Sequence, residues 1–598
     1  MRRIVLPLLA AAVSGLLTAL ALPLVVSAVS IRQLDPAGHL ELLAWLSLVP
    51  AFLALRTCDR VLRAVLLGLV AGLACFFAAI YWVSHAMTAF GGLSLPLSLF
   101  ALSLLVLYMA AHWALAFGVA ARLRTRLGWP LWTVLPPVWT AAELLRNYLF
   151  SGFPWADLGY TQARTLPVAQ LASLVGVYGI AFLVVLVNAA LAEAVAALRE
   201  RRALPVRPQA VASVLVGLTL LYGFWHLGAV RREMASAPML KVGVVQPNID
   251  QMRKNERSVY DQYILDRLVP PTVEADKAGV DLVAWPEASF PYDVPPGIRS
   301  FDVRGGGLPR LSHAHLLAGA PTLEWTRNEQ GRRVPRVGNM LFLLDPDLTV
   351  LGRYQKMHLV PFGEYVPAAV RTLLPFVQQI VPTLAPASPG DDYAVLEFPL
   401  SPPGDLAGQA QQPGPPLATG AAAAEPVARR DPDPVRLAPL ICFDAIFPEL
   451  VRGFMRKDPP PDLLVNGTND AWYGYSSGPY QFLTIVQLRA IEARRAVVRP
   501  AYAGVSAVIL PTGELQPGAI DVGPVDPDLA PDRNEPARLL LASVPLLRQG
   551  TVYTSIGDLF AYACALFAGA ALLAAWRRRA PAPGAPTRGG TESNGRTW

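Results

Sequence analysis

The chain has 598 residues, of which 53% are hydrophobic and 16% charged, and its mean hydropathy is +0.38. That composition excludes an ordinary soluble globular protein and a predominantly disordered one, and four cysteines in this length exclude a disulfide scaffold. The net charge of +7, from 51 Lys+Arg against 44 Asp+Glu, gathers in short Arg-rich loops between apolar runs, which reads as membrane topology and not as a nucleic-acid surface.

A spanning helix needs roughly 20 apolar residues. Seven candidate runs precede residue 231, over 4–29, 40–55, 61–87, 95–121, 130–149, 168–197 and 211–230; an eighth covers 556–576. The first follows Met1-Arg2-Arg3 and is too long for a signal-peptide core, so it reads as a retained anchor. Arginines cluster at Arg2/Arg3 and in 56–63, 122–126, 199–207 and 577–579, whereas 31–38 and 85–94 carry few or none. With eight spans every cluster falls on one side, which places both termini in the cytoplasm and 231–554 outside. The segment 151–160, Ser-Gly-Phe-Pro-Trp-Ala-Asp-Leu-Gly-Tyr, then lies on the outer side, as an interfacial aromatic belt or as the floor of a lipid-facing site.

The expected organisation is a membrane bundle over 1–230, an outer domain over 231–554, a final span over 555–579 and a disordered cytoplasmic tail over 580–598. In the outer domain, residues 239–246 alternate like a strand, as do 281–285, 316–319, 340–344, 437–442, 463–466 and 504–510. Helical patterns over 259–277 and 480–497 lie between them, so the domain reads as α/β. Residues 401–434 are rich in Pro, Gly, Gln and Ala, offer almost nothing to bury, and read as a disordered insertion before a core strand.

Cys442 is the one cysteine in the outer domain, because Cys58 falls in a cytoplasmic loop and Cys75 and Cys564 within spans. An unpaired thiol there is either buried and inert or kept for its reactivity. Its strand, 436–442, ends at the cysteine and a helix can begin at once, a position where the helix dipole favours thiolate. His313 and His315 stand two apart without an accompanying Asp, Glu or Cys ligand set, so no metal site is expected. A carboxylate is the other available base. Glu287 follows Trp285-Pro286 at a strand end, where apolar neighbours would raise its pKa toward that of a general base, unless it is a solvated turn residue. Lysine is rare, five against forty-six arginines, so Lys356 points to a need for a compact ammonium; beside a cysteine it would lower the thiol pKa and stabilise an oxyanion.

Glu287, Lys356 and Cys442, in that order and each at or after a strand, resemble the Glu–Lys–Cys triad of the nitrilase superfamily, which implies a four-layer αββα sandwich. With seven spans before the domain and one after, nearly the whole chain looks like the bacterial apolipoprotein N-acyltransferases. Trp285-Pro-Glu287, Lys356-x-His-Leu-Val-Pro-Phe-Gly-Glu364-Tyr, Ile441-Cys442-Phe-Asp444, Asn469-Asp-Ala-Trp472-Tyr-Gly and Arg489-Ala-Ile-Glu492 carry the likeness. It implies Glu287 as base, Cys442 as nucleophile and Lys356 as oxyanion partner. It further implies that Glu364 positions Lys356 or assists proton transfer, and that the Phe443 N–H is a second oxyanion donor. Asn339, Phe443, Trp472 and Tyr473 would line the acyl and head-group site, with Trp155 approaching from the membrane side. The chain departs from the family at Phe443-Asp444, where Tyr-Glu is frequent, at Lys254-Asn255, where a tryptophan can stand, and at Ala501-Tyr-Ala-Gly504.

The implied reaction is ping-pong. Cys442 takes an acyl chain from a membrane phospholipid as a thioester and passes it to the N-terminal amine of a diacylglyceryl-cysteine lipoprotein. The resemblance implies a monomer in the bacterial inner membrane, with its catalytic domain periplasmic and with no cofactor, metal or nucleic acid. The rivals are a membrane-tethered amidase with water as acceptor, and a transporter or receptor whose outer domain binds ligand.

Overall fold

The computed structural model describes residues 2–23, 25–26, 29–30, 39–302, 307–327, 330–361, 363–365, 387–400, 434–474, 476–522 and 536–578. Nearly all of the expected insertion, the 31–38 loop and the tail from residue 579 lie outside the described residues.

Among these, five helices are long and apolar enough to cross a membrane: Val61–Ala79, Leu95–Leu127, Ala172–Arg199, Val206–Ser236 and Leu559–Arg577. The other three of the eight expected runs do not reach that length and apolarity as single helices among the described residues. The first is a helix only over Arg2–Leu20, stopping shortly before Pro23, which cannot continue it. The run over 40–55 is broken into a 3₁₀ turn, His39–Leu43, and two short helices, Ala44–Ser47 and Val49–Arg56. The fifth run folds as Leu131–Tyr148, which holds Pro136, Pro137, Glu143 and Arg146. The third run also ends early, at Ala79, and a separate helix, Trp82–Ala89, turns off it.

Helix Val206–Ser236 leads into two six-stranded sheets. In chain order the strands are β1 (Met239–Gln246), β2 (Leu282–Ala284), β3 (His315–Arg327), β4 (Arg333–Leu344), β5 (Val350–Gln355), β6 (Leu396–Phe398), β7 (Val435–Ile441), β8 (Leu463–Gly467), β9 (Val497–Arg499), β10 (Gly504–Ile509), β11 (Ile520–Val522) and β12 (Arg538–Pro545). One sheet runs β12-β1-β2-β3-β4-β5 and the other β11-β10-β9-β8-β7-β6. The centre of each is parallel, β1 to β2 to β3 and β7 to β8 to β9.

Side-chain alternation decides what each face meets. Val242, Val244, Leu282 and Leu317 share a core with Leu437, Leu463 and Val465 of the facing sheet. Val245, Val283 and Leu316, of opposite parity, pack instead with Ile264, Leu265 and Leu268 of helix Arg257–Lys277. Helices Pro448–Met455 and Gly478–Ala493 cover the outer face of the second sheet through Leu450, Phe454, Phe482 and Ile485. The result is the αββα sandwich. Its core is continuous with that of the membrane helices, since Trp155, Phe76 and Ala181 belong to the same buried cluster as Leu437.

Candidate active site

Three chain reversals at strand ends bring the site together. After β2, Trp285 is anchored by its Nε1, which donates to Thr272 Oγ1 at 2.8 Å, and by its N–H to the Leu317 carbonyl. The next turn lies directly against β3, where a Cβ on Gly319 would sit 2.2 Å from the Pro286 carbonyl oxygen. Only glycine permits that approach, and it sets the height of Glu287 above the sheet. Glu287 is 6% exposed.

After β5, Lys356 enters the same space, with its own N–H bonded to the Asn339 carbonyl. Its Nζ lies 3.1 Å from Glu287 Oε1 and 2.9 Å from Glu364 Oε1. Glu364 Oε2 accepts from the Val360 N–H, so this carboxylate both folds its own loop and clamps the lysine. Asn339, on β4, donates from Nδ2 to Glu287 Oε1 at 2.7 Å. Glu287 Oε1 thus takes two hydrogen bonds, while the buried Oε2 has no hydrogen-bond partner among the described residues.

After β7, Cys442 opens a 3₁₀ turn, Cys442–Ile446, with φ +46°. That conformation is uncommon for a residue with a Cβ and marks a constrained turn. Asp444 holds it. This fully buried carboxylate accepts from the Tyr354 hydroxyl at 2.9 Å, the His358 N–H at 2.8 Å and the Ile441 N–H at 3.0 Å. It therefore ties the cysteine turn to the segment carrying Lys356. Burial pushes its pKa up to about 6 against those donors and Lys356.

The charge states differ from those expected of the sequence. Burial works to raise the pKa of Glu287, but Lys356, then Lys254, and the hydrogen bonds from Lys356 and Asn339 leave it below the ordinary carboxylate range. Lys356 is held well above its own, since Glu287 and Glu364 outweigh burial. Burial first, then Glu287, push the Cys442 thiol up to about 12, although Lys356 opposes them. The resting site is thus a neutral thiol beside an ionised carboxylate–ammonium pair. Neither the turn's dipole nor the lysine makes a thiolate, because the desolvation of a buried anion outweighs both. Alkylation of Cys442 by iodoacetamide should therefore keep climbing with pH through pH 10, where an ordinary thiol of pKa about 8.5 has levelled off. A plateau near pH 8 would contradict this account.

The remaining predicted residues form an aromatic wall beside the cysteine turn. Phe443 stacks on Phe153 (centroids 6.3 Å apart), and Phe153 on Trp155 (6.0 Å). Trp155 meets Trp82 at 5.1 Å, and Trp82 meets Tyr473 edge-on at 4.8 Å. Trp472 lies farther out, edge-on to Phe90 at 5.3 Å. Asn339, expected along the substrate path, is bonded to Glu287. Lys254 is a participant that sequence reasoning noted only as a departure. It is buried, its Nζ donates to the Glu287 carbonyl at 3.0 Å, and it lies over the Tyr502 ring at 4.0 Å. The scarcity of lysine that singled out Lys356 applies equally to Lys254. His313 pairs with Asp276 and His315 stacks on Phe398, and no cluster of three or more metal-binding side chains occurs among the described residues.

Residues 8–190 match the family model described as apolipoprotein N-acyltransferase N-terminal domain, and residues 241–522 match carbon-nitrogen hydrolase. The chain is 35% identical over 555 residues to the apolipoprotein N-acyltransferase of Geobacter metallireducens, covering 92% of this chain and 94% of the relative. It is 30% identical to that of Bradyrhizobium diazoefficiens, covering 79% and 78%. Among solved structures, Nit3 of Saccharomyces cerevisiae, a nitrilase-superfamily member, is 15% identical with a TM-score of 0.32, covering 52% of this chain and 92% of that one.

Proposed function

The chain belongs to the apolipoprotein N-acyltransferase family, and from that premise we propose how its site divides the work of acyl transfer. It is a membrane enzyme, an acyltransferase of the carbon–nitrogen hydrolase superfamily that acts on lipoproteins. In our reading Glu287 takes the Cys442 proton as the sulfur attacks the ester carbonyl of a membrane phospholipid. Lys356 and the Phe443 N–H receive the oxyanion. Its collapse expels the lysophospholipid oxygen, which recovers the proton from Glu287 and leaves a thioester on Cys442. The N-terminal amine of a diacylglyceryl-cysteine lipoprotein then attacks, Glu287 takes its proton, and the departing sulfur regains that proton as the amide forms. The observation that carries this reading is the buried Glu287 carboxylate, whose Oε1 is bonded to Lys356 and Asn339 while Oε2 has no hydrogen-bond partner among the described residues, in the site that Cys442 also enters. A base must be charged before it can accept, and a thiol needs one when its own pKa is far above neutrality.

Asp444 and Glu364 are positioning residues in this scheme. Trp155, Phe443, Trp472 and Tyr473 supply apolar walls for the acyl chain, and Asn339 orients the base. The Arg-rich loops support a periplasmic catalytic domain with both termini cytoplasmic. A reporter active only outside the cytoplasm should give signal when fused at Gly390 and none at Pro581; signal at both overturns that sidedness.

Enzyme given phospholipid and no amine should accumulate acyl-Cys442, detected by mass spectrometry. A peptide with a free N-terminal diacylglyceryl-cysteine should discharge the adduct to an amide, and acetylating that amine should block discharge. Fatty acid released at one rate with and without acceptor would instead favour an amidase that uses water.

A further inference from the structure

Gln481, on helix Gly478–Ala493 of the sandwich, is 3% exposed, and the active-site chemistry makes no use of it. Its Oε1 accepts from both Trp155 Nε1, at 2.8 Å, and Trp82 Nε1, at 3.3 Å. Its Nε2 donates to the Ala79 carbonyl at 2.9 Å and to the Pro23 carbonyl at 3.0 Å. Indole N–H groups can only donate and backbone carbonyls can only accept, so the chemistry of the four partners fixes which end of the amide is which. Ala79 is the last residue of helix Val61–Ala79, so its carbonyl falls where a helix end leaves acceptors unpaired, and Pro23 lies in the segment that follows helix Arg2–Leu20. One side chain of the catalytic sandwich therefore satisfies the end of helix Val61–Ala79 and the segment after helix Arg2–Leu20, and orients two tryptophans.

Those tryptophans belong to the aromatic wall that runs from Phe443, next to the nucleophile, through Phe153 and Trp155 to Trp82 and Tyr473. We propose that Gln481 is a positioning residue for the lipid half-reaction: by holding both indoles against the ends of the membrane helices, it sets the apolar wall along which the donor's acyl chain reaches Cys442. This rests on Cys442 being the acylated nucleophile. It adds that the fit of sandwich to membrane helices is read out at the lipid path, not at the thiol.

The full-length protein in phospholipid vesicles provides the test, with two rates followed at Cys442: acylation by the vesicle lipid and alkylation by iodoacetamide. Gln481→Met keeps the length of the side chain and removes all four hydrogen bonds. It should slow acylation on the order of tenfold or more, with alkylation within about twofold of wild type. The pair Trp82→Phe/Trp155→Phe removes both indole donors together with one ring of each wall residue, and should slow acylation at least as much. Adding Gln481→Met to that pair should then cost little more, because residues acting as one unit are not additive. Unchanged acylation in Gln481→Met overturns the proposal, whatever the tryptophan pair does. So does a parallel fall of acylation and alkylation, or a triple variant that multiplies the separate losses. Should Gln481→Met not fold, Gln481→Asn, an amide too short to reach all four partners, is read by the same two rates, and unchanged acylation there overturns the proposal. A wild-type protein that forms no acyl-Cys442 would overturn the nucleophile assignment and this inference with it, whereas an adduct formed at the same rate in every variant overturns this inference alone.

Discussion

Replacing Cys442 by alanine is expected to abolish N-acylation altogether, and with it any acyl adduct, at an unchanged yield of folded protein. The expectation of normal folding has a structural basis. Cys442 already adopts φ +46° as a residue with a Cβ, so alanine adds no backbone strain at that turn. Asp444, which fastens the turn through Tyr354, His358 and Ile441, is left untouched. Only a small buried sulfur is lost. The chemistry has no other route if the acyl chain must rest on the enzyme between donor and acceptor. Direct transfer from phospholipid to amine in a single step would survive the substitution, and turnover above background in Cys442→Ala would sink the covalent scheme. The readouts are amide product and lysophospholipid, each measured against the same amount of folded protein.

Glu287→Gln should lower acylation of Cys442 by roughly 10²–10⁴-fold, the usual worth of a positioned general base. The amide has the carboxylate's shape, and Lys356 keeps Glu364 as its partner at 2.9 Å, so the site should stay assembled. What distinguishes this prediction from simple damage is its opposite sign in a second assay. The negative charge of Glu287 helps hold the thiol pKa up at about 12. Removing that charge leaves Lys356 less opposed, so the thiol should ionise at lower pH and react faster with iodoacetamide at pH 8, while enzymatic acylation collapses. A damaged site would lose both rates. Acylation within a few-fold of wild type would remove Glu287 from the role of base.

The order of the reacting groups, and their placement at strand ends, follow from the linear pattern of residues alone. Glu287 and Cys442 follow apolar stretches that become β2 and β7, Lys356 follows the less apolar β5, and a residue just past a strand end is delivered to one edge of the sheets whatever the details of packing. Two of those strands, β2 and β7, were legible from their alternation and length. Others were not. β5 has the sequence Val-Leu-Gly-Arg-Tyr-Gln, lies at a sheet edge and buries little, so its pattern is weak. Of the three residues of β9, Val497 reads as the end of the preceding helix and the other two as no element, because neighbouring strands supply their partners and no local period marks them. Hydropathy located the apolar runs but not where their helices stop. Runs that were continuous in composition ended at Leu20 and Ala79.

The charge states and the join between the two parts arise from packing in three dimensions. Glu287 looked like a desolvated base of raised pKa, because its neighbours in sequence are Trp285 and Pro286. In the fold, Lys356 comes to it from 69 residues away and the Lys254 ammonium bonds its carbonyl from 33 residues away, and two cations outweigh one apolar wall. The thiol was misread in the opposite direction. Its local turn suggested thiolate, but burial and the facing carboxylate raised its pKa. Gln481 gave no signal at all, since its four partners come from segments between 326 and 458 residues distant. Patterning along a chain reports which groups will be buried and at which strand end. It does not report which charges will meet there, because electrostatic and hydrogen-bond terms depend on distances in space that only packing sets.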